Sequence, residues 1–113
     1  MTRMIYIKTQ FEGFHNYPEA PDEVYFLRNV HRHIFHVKVW IEVKHNNRDV
    51  EFFLFKAFVE KLIEKTFLDN KSCEMIADEL SVCIKNKYPG RDLWIDVSED
   101  GENGCFCKYG GDE

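Results

Sequence analysis

The sequence predicts a small α+β domain in which two strands, two helices and two further strands follow one another. Two stretches near the N-terminus alternate apolar and polar side chains, which is typical of half-buried strands. Two stretches in the middle repeat apolar residues every three or four positions, which is typical of helices. Two short apolar stretches joined by the turn-like DGENG follow. With 113 residues, the chain is expected to form one domain, residues 1–113, with a modest core.

The first predicted strand covers residues 4–12, where Ile5, Ile7 and Phe11 share one face. The segment GFHNYPEAPDE that follows is rich in Gly, Pro, Asn and acidic residues and indicates a long loop. The second strand spans about residues 30–45 and places Phe35 and every second residue after it on one face. The helices are expected to cover that apolar face.

The predicted helices show apolar stripes. The first stripe consists of Phe52, Phe55, Phe58, Val59, Leu62 and Ile63, and the second of Cys73, Ile76, Ala77, Leu80, Cys83 and Ile84. Asn70 or Ser72 can cap the second helix, and the lysines and Pro-Gly of KNKYPG end it. The last strands are predicted in DLWIDVSE and GCFCKY.

Composition excludes several classes of protein. The formal charge of −5 and the scattered lysines and arginines argue against a general nucleic-acid binder. No apolar run approaches the roughly 20 residues of a membrane span. The first ten residues lack the apolar core of a signal peptide, which predicts a cytoplasmic protein. The four cysteines are expected to be reduced and mostly buried, with a Cys-X-Cys metal or redox site at Cys105 and Cys107 as the alternative.

Three histidines suggest a metal site. His31 and His33 are two residues apart on the second strand, so they point to the same face, whereas His36 faces the other side. Two neutral imidazoles at the end of an apolar face can bind zinc, which needs at least one more protein ligand. His15, after the first strand, can supply it if the first two strands pair. The alternative is a set of locally hydrogen-bonded or solvated histidines.

Glu99 is the second candidate binding group. It ends the alternating run Leu93, Ile95, Val97, so its carboxylate is expected to follow the apolar face. A buried carboxylate needs a partner, and the adjacent N–H groups of a pterin or guanine edge can provide one. The alternative is a glutamate at the solvated end of a strand.

These features together resemble the 6-pyruvoyl-tetrahydropterin synthase and 6-carboxy-tetrahydropterin synthase family, enzymes of the tunnelling fold. FEGFHNYP resembles the family segment that carries a histidine after the first strand, and HRHIFHVKV resembles its H-G-H strand. VEFFLFK, KSCE and SEDGENGCFCKY resemble its D-F-x-x-L-K, P-T-S-E and closing E-T-x-x-x-x-x-x-Y segments. The resemblance spans nearly the whole chain.

The resemblance implies a ββααββ subunit with a four-stranded antiparallel sheet and two helices on one face. Such subunits join their sheets into a barrel, so a homo-tetramer or homo-hexamer is implied. It also implies zinc on His15, His31 and His33, and a pterin pocket in which Glu99 anchors the heterocycle. The KSCE segment, with Ser72 and Cys73, would lie alongside, across a subunit boundary.

The chain departs from the family at the proton-transfer residues. Leu27 occupies the position of the catalytic cysteine, four residues before His31, and Arg32 replaces the glycine of H-G-H. Near the position of the catalytic histidine and its aspartate stand Lys65 and Glu64, weak candidates for proton transfer. The alternative for that pair is a solvated ion pair at a helix end.

Two functional hypotheses follow, and whether the protein is an enzyme stays open. The first is a divergent zinc-dependent pterin synthase or lyase that acts on or binds a ligand like dihydroneopterin triphosphate. The second is a catalytically inactive module that captures a purine- or pterin-derived ligand. A structural oligomer with a vestigial site is a third possibility.

Overall fold

The computed structural model describes residues 1–64 and 68–112. Within these ranges lie four strands and two α-helices in the predicted order, with a short 3₁₀ segment, Asp22–Arg28, between the first two strands. The elements are β1 (Arg3–His15), β2 (His31–Val43), α1 (Phe52–Leu62), α2 (Cys73–Lys87), β3 (Leu93–Glu99) and β4 (Asn103–Tyr109).

The strands form one antiparallel sheet in the order β1-β2-β3-β4. This confirms the prediction of an α+β chain with a four-stranded antiparallel sheet. Residues of both helices join alternate residues of β2 and β3 in a single core cluster, so both helices cover the same face of the sheet. α1 packs over β1, and α2 packs over β3 and β4. The sheet therefore has β1 and β4 as its two edges.

β1 is longer than the alternation predicted and includes His15 as its last residue. The strand continues through Gly13, where a side chain would collide with the core: a Cβ there would lie 2.8 Å from the ring of Phe35. Glycine thus lets β1 stay paired with β2 as far as His15, whose partner in the register is His31. The first residues of the predicted loop are therefore strand.

Both helices begin at side-chain caps. Glu51 accepts hydrogen bonds from the N–H groups of Phe53 and Leu54 at the start of α1. Ser72 caps α2 by accepting from the N–H of Met75 at 3.2 Å, which satisfies one of the free donors of the first turn. The N-cap of α2 is thus one of the two residues that the sequence offered.

Two residues assigned to the apolar stripes are exposed. Phe52 is 51% exposed because burial in α1 follows only the narrow stripe of Phe55 and Val59. Cys83 lies at one edge of the α2 stripe and is exposed, whereas Ser81, at the other edge, is buried.

The four cysteines are free, as expected, but burial is less general than predicted. Cys73 is buried, Cys105 and Cys107 are half-buried on the edge strand β4, and Cys83 is exposed. The Sγ atoms of Cys105 and Cys107 lie 3.9 Å apart.

Candidate metal centre

Strand pairing brings three histidines together at one end of the sheet. His15, the last residue of β1, is directly opposite His31, the first residue of β2. His33 is two residues further along β2 and points to the same face. The ring centroids lie 4.6 Å apart for His15 and His31, 5.0 Å for His31 and His33, and 5.3 Å for His15 and His33. The three predicted ligands therefore form one cluster.

Glu99 joins the same cluster. It is the last residue of β3 and pairs with Phe35, the next inward-facing residue of β2 after His33. Its Oε2 lies 2.9 Å from Nε2 of His15 and 3.6 Å from Nε2 of His33. The ligand atoms of these four side chains all lie within 4.8 Å of one another. Such a group can hold a metal ion.

In each of the three histidines, Nδ1 lies within hydrogen-bond distance of an oxygen atom. Nδ1 of His15 lies 2.9 Å from the carbonyl oxygen of Lys71, and Nδ1 of His31 lies 2.8 Å from that of Asn29. Nδ1 of His33 lies 2.7 Å from Oδ2 of Asp100. Carbonyl and carboxylate oxygens only accept hydrogen bonds, so each Nδ1 carries the proton. Each neutral ring then presents the lone pair of Nε2, as in proteins whose metal-bound histidines are oriented by such partners.

The Nε2 atoms of His15 and His33 lack hydrogen-bond partners among the described residues, although both atoms are buried. An unsatisfied buried polar atom is costly, and few occur in folded proteins. A metal ion at the centre of the cluster would satisfy both at once. Neutral imidazoles and a carboxylate suit zinc and other divalent transition metals. The donor atoms thus fit a metal of the predicted kind.

A cavity of about 530 Å³ lies against the cluster, between the sheet and the start of α2. His15, His31 and Glu99 form part of its wall, and Ser72 and Cys73 line it from α2. Its size is within the range of small-molecule sites. The structure therefore places two of the three predicted metal ligands, Glu99 and the KSCE segment around one space within a single chain.

The thiol and the leucine that line this cavity are poor groups for proton transfer. Burial, and after it the nearby negative charge of Glu99, raise the pKa of the Cys73 thiol to about 12. Cys73 is therefore protonated at neutral pH, whereas a reactive cysteine is a thiolate. Leu27 also lines the cavity, and its side chain has no ionisable group.

Glu64, one of the two weak catalytic candidates, does not line the cavity. Glu64 is exposed and lies beside Thr9 and Glu60 in a separate surface groove. This position follows from the course of α1, which packs over β1 and ends at Leu62. Lys65 lies outside the described residues.

Asp100 is the residue that sequence reasoning missed. Its Oδ2 accepts from His33, and its Oδ1 accepts from the N–H of Ile34 at 2.9 Å. The Ile34 and His33 hydrogen bonds hold the pKa of the Asp100 carboxyl below its usual range. Asp100 and Gly101 both have positive φ, and the N–H of Glu102 donates to the carbonyl of Glu99, as in a tight hairpin turn. The Asp-Gly pair was a signal for the turn, but not for the contact with His33.

No family model and no curated protein matches this chain. The resemblance to the tetrahydropterin synthase family therefore stays a prediction drawn from short motifs. No α-helix in residues 1–64 or 68–112 is long and apolar enough to cross a membrane.

Proposed function

We propose that this protein is a zinc-dependent relative of the tetrahydropterin synthases that captures a pterin- or purine-like heterocycle beside the metal, with little or no turnover. The observation that supports it most is the pair of buried Nε2 atoms of His15 and His33, on rings whose Nδ1 atoms are already bonded, in a cluster that borders a ligand-sized cavity. The donors suit a metal, and the cavity leaves room for a ligand.

Zinc would be held by His15, His31 and His33, and when bound it supplies a Lewis acid that polarises an oxygen of the ligand. The chain's own residues bind and orient the heterocycle. Glu99 lies at the boundary between the cluster and the cavity, so its carboxylate can accept two hydrogen bonds from adjacent N–H groups. Ser72 and Cys73 would lie along the ring system.

Binding is favoured over the family reaction because the groups around the cavity are poorly suited to proton transfer. Leu27 has no ionisable group, and Cys73 holds its proton. Lys71 pairs with Glu79 at 3.5 Å, and Glu74 is exposed at the start of α2. A missing general acid or base typically slows a reaction by about a hundred- to ten-thousandfold.

The synthase or lyase function is the second candidate, and the position of the metal cluster in the cavity wall favours it. Incubation of the zinc-loaded protein with dihydroneopterin triphosphate, followed by chromatography of the products, separates the two. Turnover at about 1 s⁻¹ or faster, within the ordinary enzyme range, would establish the enzyme. Tight binding with negligible turnover would establish the binding module.

The binding role of Glu99 is tested by Glu99→Gln at saturating zinc. Gln keeps the shape but replaces an acceptor by a donor, so pterin or guanine should bind at least about tenfold more weakly, equivalent to about 1.4 kcal/mol. Glu74→Gln is the matched control, because Glu74 lines the same cavity outside the histidine cluster. Unchanged affinity in Glu99→Gln would contradict the anchoring role.

The proposed assembly is a homo-tetramer or homo-hexamer in which the sheets of neighbouring subunits form a barrel. β1 and β4 are the sheet edges, and β1 is 13 residues long. Long open edges are prone to pair with another chain, and closure of a barrel removes them.

A further inference from the structure

The carboxylate of Glu99 lies directly against two of the histidines. Oε2 of Glu99 lies 2.9 Å from Nε2 of His15 and 3.6 Å from Nε2 of His33. Because Nδ1 carries the proton in both neutral rings, both Nε2 atoms direct lone pairs towards the cluster. A carboxylate oxygen also carries lone pairs, and the three atoms lie close enough together to face one metal ion.

A metal ion fits the distances. Metal–nitrogen and metal–oxygen bonds of about 2.0–2.1 Å at tetrahedral angles separate neighbouring ligand atoms by about 3.3 Å. The separations of 2.9 Å and 3.6 Å lie on either side of that value. The carboxylate thus stands close enough to both imidazoles to share one metal ion with them.

We infer that Glu99 is the fourth metal ligand in the protein without its heterocycle, so that the centre is a closed His₃Glu site. Three histidines alone would leave a position open, whereas four protein ligands complete a tetrahedron. The inference rests on the proposed zinc site and deepens the proposed function. The carboxylate that anchors the heterocycle must first leave the metal. Binding of the heterocycle is therefore coupled to the opening of one coordination position on the metal.

The test uses cobalt(II) in place of zinc and azide as a probe of an open position. In the wild-type protein, the visible absorption of bound cobalt should not change when azide is added, because no position is free. In Glu99→Gln, the spectrum should change with azide. Glu74→Gln, in the same cavity, should behave like the wild type. A wild-type spectrum that changes when azide is added would overturn the inference, and this measurement requires only the wild-type protein.

A second measurement compares zinc affinities by competition with a chelator. Replacing a group that is hydrogen-bonded to a metal ligand typically lowers metal affinity by about ten- to hundredfold. Loss of a direct ligand should therefore weaken zinc binding at least about tenfold. Glu99→Gln should show this loss, and Glu74→Gln should not. Equal affinities in the wild type and Glu99→Gln would count against the fourth ligand.

Pterin added to the cobalt protein tests the coupling. With pterin bound at saturation, the wild-type cobalt spectrum should change, either on binding of pterin or on later addition of azide, since Glu99 has moved to the heterocycle. A spectrum that neither pterin nor azide changes would show that Glu99 remains on the metal. If neither the wild type nor any variant that keeps the three histidines bound cobalt or zinc, the proposed metal site would be refuted instead. Lack of pterin binding would refute the proposed ligand.

Discussion

Removal of the metal from the histidine cluster is expected to destabilise the folded protein by about 2–6 kcal/mol, since each of two buried and unsatisfied polar atoms costs about 1–3 kcal/mol. The two atoms are Nε2 of His15 and Nε2 of His33, which have no hydrogen-bond partner among the described residues. Bound metal removes this cost. It also links the ends of β1, β2 and β3, because the candidate ligands come from all three strands.

The assay is thermal unfolding of the zinc-loaded protein with and without a chelator. For a domain of about 100 residues, 1 kcal/mol corresponds to about 4 °C in Tm, so the loss of about 2 kcal/mol or more should lower Tm by at least about 8 °C. Added zinc should restore it, because a ligand that binds only the native state stabilises that state. In the double variant His31→Ala, His33→Ala, neither chelator nor zinc should change Tm.

His36→Ala is the matched control, because His36 is on the same strand but faces away from the cluster. It should keep the full response to zinc and chelator. A wild-type Tm that is the same with zinc and with chelator would refute the reasoning. Zinc retained by the double variant would assign the metal to other residues.

Three further predictions concern the surroundings of the site, the fold and the assembly. Asp100→Asn removes the charge beside Nδ1 of His33, so zinc affinity measured by chelator competition should fall by about ten- to hundredfold. The hydrogen bond from Arg91 lowers the pKa of Asp49 from 3.8 to about 2, so this carboxylate stabilises the fold above pH 3.8 and loses that effect as the pH falls towards 2. Unfolding of Asp49→Asn should therefore depend less on pH across that window in acid titrations followed by circular dichroism, and an unchanged dependence would contradict the pairing. Sedimentation at micromolar concentration should show a tetramer or hexamer, and a monomer would count against the barrel.

The sequence by itself determined the order of the elements and the faces on which the candidate ligands lie. Alternation in a strand has a period of two, so His31 and His33 had to share a face, and Glu99 had to follow Leu93, Ile95 and Val97. Both inferences depend only on neighbours along the chain. For the same reason, the serine before α2 could be recognised as a cap.

The tertiary structure decided which of these residues meet. The pairing of His15 with His31, and of Phe35 with Glu99, depends on the register between strands that are distant in sequence. Local periodicity does not specify that register. Sequence reasoning therefore treated Glu99 as a ligand anchor separate from the metal, whereas its carboxylate lies within the histidine cluster.

Side-chain geometry decided the rest. The state of each imidazole depends on an oxygen that folding brings to Nδ1, and for His33 that oxygen belongs to Asp100, 67 residues away. Glu64 was a candidate because of its place in a motif, but the path of α1 leads it to another surface. Residue types and strand parity can be read from neighbouring positions, whereas hydrogen bonds and unsatisfied atoms arise only when distant segments pack together.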